Sequence, residues 1–178
     1  MRAYLRRSAR SQAGFTLVEL LVASAIGVIV MTGLTSVVLT TWRAGTVATS
    51  RVEASGQIRS FQFDAYDDFA LSGVPTLTNC APGSPPPCSI ALSGLQASNS
   101  TAPIPPTVPY TVTYTWDGTN VDRQVGSSAP RHAATNVTAF SAVLSGSPPH
   151  QTVIVTLTVT VQAYVETQTL QFYPQVNP

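Results

Sequence analysis

Lysine is absent from this 178-residue chain, and charge of either sign is scarce. Nine arginines and eight acids make up 10% of the residues, against roughly 25% in an ordinary soluble domain. The arginines are unevenly placed. Arg2, Arg6, Arg7 and Arg10 crowd the first ten positions, which leaves five arginines against eight acids in the remainder. A body that is mildly acidic excludes a nucleic-acid binder working by net charge alone. The chain also lacks a nucleophile motif, a phosphate-cradling glycine loop and a metal triad. Its two histidines, His132 and His150, stand in turn-like surroundings, His132 after Arg131 and His150 after Pro148-Pro149. They read as exposed loop residues, and no enzyme activity, cofactor or metal is expected. No proline occurs before Pro75, so no proline interrupts a long helix in the first seventy residues; Gly27, Gly33 and Gly45 remain as points of flexibility or close helix contact.

What the chain does have is one long apolar run, FTLVELLVASAIGVIVMTGLTSVVL, from Phe15 to Leu39, with Glu19 as its single ionisable side chain. As a helix it would extend about 37 Å, enough for a hydrocarbon core of roughly 30 Å. Ser24, Thr32, Thr35 and Ser36 soften the run, but a hydroxyl can bond back into its own helix. The arginines precede the run and only Arg43 follows closely, so the N-terminus should stay cytoplasmic and the C-terminal body should lie outside. A removable secretory signal also begins basic and then turns apolar, although its apolar part is usually about 7–15 residues. Glu19 is the anomaly, because an acid within a membrane helix costs on the order of 2.5–3.5 kcal/mol, less near the interface. It either sits at headgroup level or awaits a positive partner.

The stretch Gly14-Phe15-Thr16-Leu17-Val18-Glu19-Leu20-Leu21-Val22-Ala23 resembles the class III signal of type IV pilins and type II secretion pseudopilins. The resemblance implies a leader from Met1 to Gly14, cut by a membrane-embedded prepilin peptidase. It makes Phe15 the first mature residue, N-methylated by the same enzyme, and Glu19 the fifth. It also implies that Glu19 meets the N-terminal amine of a neighbouring subunit during assembly at an inner-membrane platform, an ion pair favouring register more than net stability. Major pilins of this class commonly carry a proline near mature position 22, where this chain has Ser36.

Beyond Leu39 the helical rhythm continues. Ile58, Phe61, Ala65 and Phe69 recur at intervals of three and four along one face, and Gly73 with Pro75 should end the helix near Leu71 to Gly73. Asp64, Asp67 and Asp68 are expected on a solvated helix face or in salt bridges to partner subunits. Residues 73–107 are rich in proline, glycine and serine and read as a loop region. If they face an extracytoplasmic compartment, Cys80 and Cys88 read best as a disulfide, with free thiols the next alternative and a metal site the least favoured.

After residue 107 the period becomes two. Val108, Tyr110, Val112, Tyr114 and Trp116 share one face of a strand while threonines fill the other. Asp117-Gly118 signals a hairpin returning through Val121, Arg123 and Val125. Further strands are expected over 137–144, over 153–161 and around 169–173, although the turn before the last is not placed. The fold class is therefore α+β and pilin-like: a long helix packed on a small antiparallel sheet. The ending Phe172-Tyr173-Pro174-Gln175-Val176-Asn177 resembles the tail of PilW-type or J-type minor subunits. Three roles follow from the resemblance: a minor pilin as the leading one, a J-like type II secretion pseudopilin, or a DNA-uptake subunit; a stand-alone membrane-anchored adhesion protein is the alternative from a different class. For DNA contact the outer domain offers only Arg123 and Arg131.

Overall fold

The structure, a computed structural model, describes residues 15–97, 107–147 and 151–174. The expectations for Gly14 and the leader, for His150 with its two prolines, and for the tail from Gln175 to Asn177 lie outside the described residues. One helix, α1 (Leu17–Leu71), is followed by eight strands: β1 (Thr76–Thr78), β2 (Cys88–Ala97), β3 (Thr107–Trp116), β4 (Val121–Val125), β5 (Arg131–Ala134), β6 (Val137–Ser145), β7 (Thr152–Val161) and β8 (Tyr164–Phe172). The chain divides into two compact units, Met1–Gly45 and Thr46–Pro178.

In the first unit every described residue is exposed. This stretch belongs to the helix that is long and apolar enough to cross a membrane. Several of its hydroxyls bond back into the helix. Ser24 donates to the Leu21 carbonyl at 2.9 Å, Thr32 to Val28 at 2.7 Å and Thr35 to Met31 at 2.8 Å. These three side chains therefore present no unmet donor to an apolar solvent.

In the second unit α1 gains a buried stripe of Ser50, Ala54, Ile58, Phe61, Ala65, Asp68 and Phe69. The spacing of three and four keeps these residues on one face. That face meets two antiparallel sheets, ordered β1-β2-β3-β4-β5 and β6-β7-β8, rather than the single sheet expected. Phe61 touches both. Its ring stands edge-on to Tyr114 of β3 at 5.5 Å and to Phe140 of β6 at 5.7 Å, while Phe69 stacks on Phe172 of β8 at 4.4 Å. The inner faces follow the period of two: Cys88, Ile90 and Leu92 on β2, Tyr110 to Trp116 on β3, and Val153 to Val161 on β7 are buried.

Three expectations are corrected. The loop region 73–107 contains β1 and the ten-residue β2, which pairs with all of β3. Its alternation of Cys88, Ile90 and Leu92 is interleaved with serine, alanine and glycine, which hides the strand among turn-like residues. Arg131 and His132 lie in β5, not in a turn, paired with Arg123 and Asp122. The last strand begins at Tyr164, after a two-residue turn of Gln162 and Ala163. Gln162 holds φ at 54°, a left-handed position usually filled by glycine or asparagine, so composition gave no turn signal there.

α1 ends against β2. Ser72 bridges to Gly94, and the Gly73 N–H donates to the Ser93 carbonyl at 2.9 Å. A Cβ on Gly94 would lie 2.1 Å from the Leu71 carbonyl oxygen, so the close approach excludes any side chain there.

Candidate functional site

The first turn of α1 is a reciprocal capping arrangement. Thr16 precedes the helix and its hydroxyl accepts the Glu19 N–H at 3.3 Å. In return the Glu19 carboxylate accepts the Thr16 N–H at 3.3 Å and the Thr16 hydroxyl at 3.2 Å. This is the Thr-x-x-Glu capping box, which satisfies two of the donors left over at a helix start. The negative side chain also lies at the positive end of the helix dipole. Sequence reasoning treated Glu19 as an unmatched acid and missed Thr16 as its partner, although the spacing of three was visible. Phe15 stands beside it, 85% exposed. Among the described residues the site offers an aromatic residue, a held carboxylate and a sheath of exposed apolar side chains from Leu17 onward.

The other polar feature lies in the second unit, where Asp68 projects from α1 towards β3 and β4. Arg123 clasps it with both arms, Nε to Oδ2 and Nη2 to Oδ1, each at 2.6 Å. The hydroxyls of Tyr110 and Tyr114 donate to the same two oxygens. The Asp68 side chain is 2% exposed and that of Arg123 15%. Burial alone would raise the Asp68 pKa, but the bonds from Arg123, Tyr110 and Tyr114 outweigh it and hold the carboxyl below its ordinary value. Burial, and then the adjacent carboxylate, pushes the Tyr110 hydroxyl up to about 12 and that of Tyr114 up further. The Arg123 guanidinium is held charged by Asp68.

Asp68 is therefore not on a solvated face, nor is it available to a partner subunit. Asp64 binds Arg131 at 2.6 Å, and of the three aspartates only Asp67 is exposed. Both arginines that might have formed a basic patch are thereby matched by acids of this chain. His132 pairs with Asp122 at 2.5 Å on the surface. Cys80 and Cys88 form a disulfide with an S–S distance of 2.00 Å. Among the described residues no cluster of His, Cys, Asp and Glu could hold a metal ion.

No curated protein and no solved structure matches this chain. Residues 9–35 do match a family model, described as the prokaryotic N-terminal methylation motif. The match spans the capping box, Phe15 and all but the last four residues of the apolar run. The chain thus carries the class III prepilin signal of the type IV pilin and pseudopilin superfamily, at the head of an apolar helix.

Proposed function

We propose that the protein is a minor pilin, a subunit of a type IV pilus or a related filament machine. It is processed between Gly14 and Phe15 and assembled through the N-terminal half of α1. The observation that carries this reading is the methylation motif over residues 9–35, set on a helix whose described residues stay exposed as far as Thr49. Such a surface requires cover from lipid before assembly and from other helices after it.

In this mechanism residues 1–14 are the leader and the apolar run to about residue 39 spans the membrane. The C-terminal body lies on the extracytoplasmic side. Cleavage by the prepilin peptidase creates an amine at Phe15, which the enzyme methylates. The capping box then has a mechanical use. While the subunit waits in lipid, Thr16 supplies hydrogen bonds to the Glu19 carboxylate, which offsets part of the cost of an acid at that depth. When the assembly platform brings a neighbouring subunit alongside, Glu19 exchanges these weak bonds for the neighbour's positive amine. A DNA-uptake role is the less favoured reading, because Arg123 and Arg131 are engaged by Asp68 and Asp64.

Mass spectrometry of the N-terminus in the native host tests the reading. Methylated Phe15 is the expected species; a retained Met1 or a cut near Ala44 would overturn it. Glu19→Ala should reduce filament incorporation while leaving cleavage largely intact.

A further inference from the structure

β5 is held on the five-stranded sheet by little apolar packing. It has four residues, lies at the sheet's edge and meets β4 through a register shift between Val121 and Asp122. Of its residues only Ala133 and Ala134 are buried, and two methyl groups remove little apolar area from water. Residues 126–130, which lead into it, are all exposed. Its far end is pinned. The Thr135 N–H donates to Gln57 Oε1 of α1 at 2.9 Å, and the Val137 N–H to the Thr119 carbonyl at 2.7 Å.

The β4–β5 pairing also carries a charge conflict. Arg131 of β5 is the register partner of Arg123 of β4. The Gly126 N–H donates to the Thr111 carbonyl at 2.8 Å, so the β3–β4 ladder is hydrogen-bonded at that position. By alternation Val121 and Arg123 turn their backbone groups away from β3 and toward β5. Arg123 and Arg131 are thus a hydrogen-bonded pair, with Cα atoms about 5.5 Å apart. Like charges placed directly opposite weaken a sheet.

α1 resolves the conflict. Asp64 and Asp68 stand one helical turn apart, roughly 6 Å, which matches the step between the two arginines. Asp64 accepts from Arg131 at 2.6 Å while Asp68 takes Arg123, so the four charges sum to zero. The two rungs differ in their access to solvent. The Asp68 rung is buried, whereas the side chains of Asp64 and Arg131 are 13% and 55% exposed. Salt therefore weakens the β5 rung first. On the outer face His132 of β5 pairs with Asp122 of β4, both in contact with solvent.

We propose that β5 is a strap latched by charge. Asp64 of α1 holds it closed, and when that charge is screened or removed the repulsion between Arg131 and Arg123 opens it. The strap lifts from its Arg131 end about the anchor at Thr135 to Val137. The rest of the unit Thr46–Pro178 stays folded, as in a local opening of low free energy. Opening makes β4 the edge of its sheet and uncovers the backbone groups of Val121 and Arg123. A carboxylate on the helix thereby decides which strand forms that edge. The strap goes beyond the pilin reading and does not depend on it.

The test is hydrogen exchange of the full chain in detergent, read by mass spectrometry at about pH 8, where imidazole is ordinarily uncharged. Peptides from β4 and β5 report the strap, and peptides from β3 and β7 report the unit. Raising salt from about 0.1 M to 1 M shortens the screening length from roughly 10 Å to 3 Å. The strap should then exchange roughly fivefold faster, with β3 and β7 unchanged. At low salt Asp64→Asn should accelerate the strap roughly fivefold to tenfold. Adding Arg131→Thr to Asp64→Asn removes the repulsion as well. That double variant should return to within about twofold of the parent and lose the salt response. Three results overturn the proposal: a strap unmoved by Asp64→Asn, β3 and β7 accelerating with it, or a double variant as fast as Asp64→Asn. The salt series needs no substitution, so a variant that folds poorly does not shield the proposal; a parent strap indifferent to salt also overturns it.

Discussion

From Leu17 to Gly45 no side chain of α1 is buried, whereas from Ser50 to Phe69 every third or fourth one is. The backbone is one 55-residue helix throughout. What changes is the medium that the side chains require. The first stretch carries apolar residues all round and leaves them uncovered, as a membrane span does. The second carries them on one stripe, and the chain's own sheets cover it. The comparison teaches that the second stretch brings its own solvent and the first must borrow one. Substitutions in the second should therefore be read by the stability of the folded unit, and those in the first by insertion and assembly.

The largest test of this division is Asp68→Ala. It strands Arg123 among Tyr110 and Tyr114 without its counter-charge, and losing one partner of a buried pair costs about 3–5 kcal/mol. Denaturant unfolding of the full chain in detergent should show that drop; a loss under 1 kcal/mol would place Asp68 with the surface pairs. Next is Phe61→Ala, expected to cost about 3–5 kcal/mol by opening a cavity between the two sheets. Val30→Ala, an equally apolar position in the first stretch, should move the same midpoint by less than about 0.5 kcal/mol. Comparable losses at both positions would erase the distinction between the halves.

Removal of the Cys80–Cys88 link by a double change to serine should cost about 2–3 kcal/mol on the chain-entropy estimate for so short a loop, read as a lowered unfolding temperature. Acid gives a further contrast. The folded-state pKa of Asp68 is depressed below 3.8, so its contribution is complete above the unfolded value and is lost as pH falls through the folded one. Stability attributable to this group should be flat down to about pH 5 and decline below about pH 4, and Asp68→Asn should remove that part of the decline. Within the folded unit the smallest effect belongs to Arg131→Ala, read in the same denaturant unfolding. The Arg131 side chain is 55% exposed, and such pairs are worth about 0–1 kcal/mol.

The helix was legible because its information is local. The apolar run, the stripe from Ile58 to Phe69 and the terminator at Gly73 and Pro75 are all patterns within one segment. β3 and β7 were legible for the same reason, since Tyr110 to Trp116 and Val153 to Val161 alternate cleanly. β2 was not, because Ser89, Ala91, Ser93 and Gly94 give its outer face the composition of a turn. The division into two sheets depends on which strands pair at long range, and no single segment records it. The role of Asp68 was hidden likewise. A carboxylate on a helix looks solvated until Arg123, 55 residues further on, is folded against it. Glu19 shows the converse: its capping partner lay three residues away.

Gly94 carries a mechanical consequence. Because it has no side chain, the end of α1 can lie directly against β2, with the Ser72 bridge and the Gly73–Ser93 bond as the joint. Tension along α1 is then delivered to a strand that is paired with β1 on one side and with β3, through ten residues, on the other. A load arriving there is spread across neighbouring strands, whereas a load on an outermost strand can peel one bond at a time. In a protein pulled by its helix, the position with no side chain decides where the pull is felt.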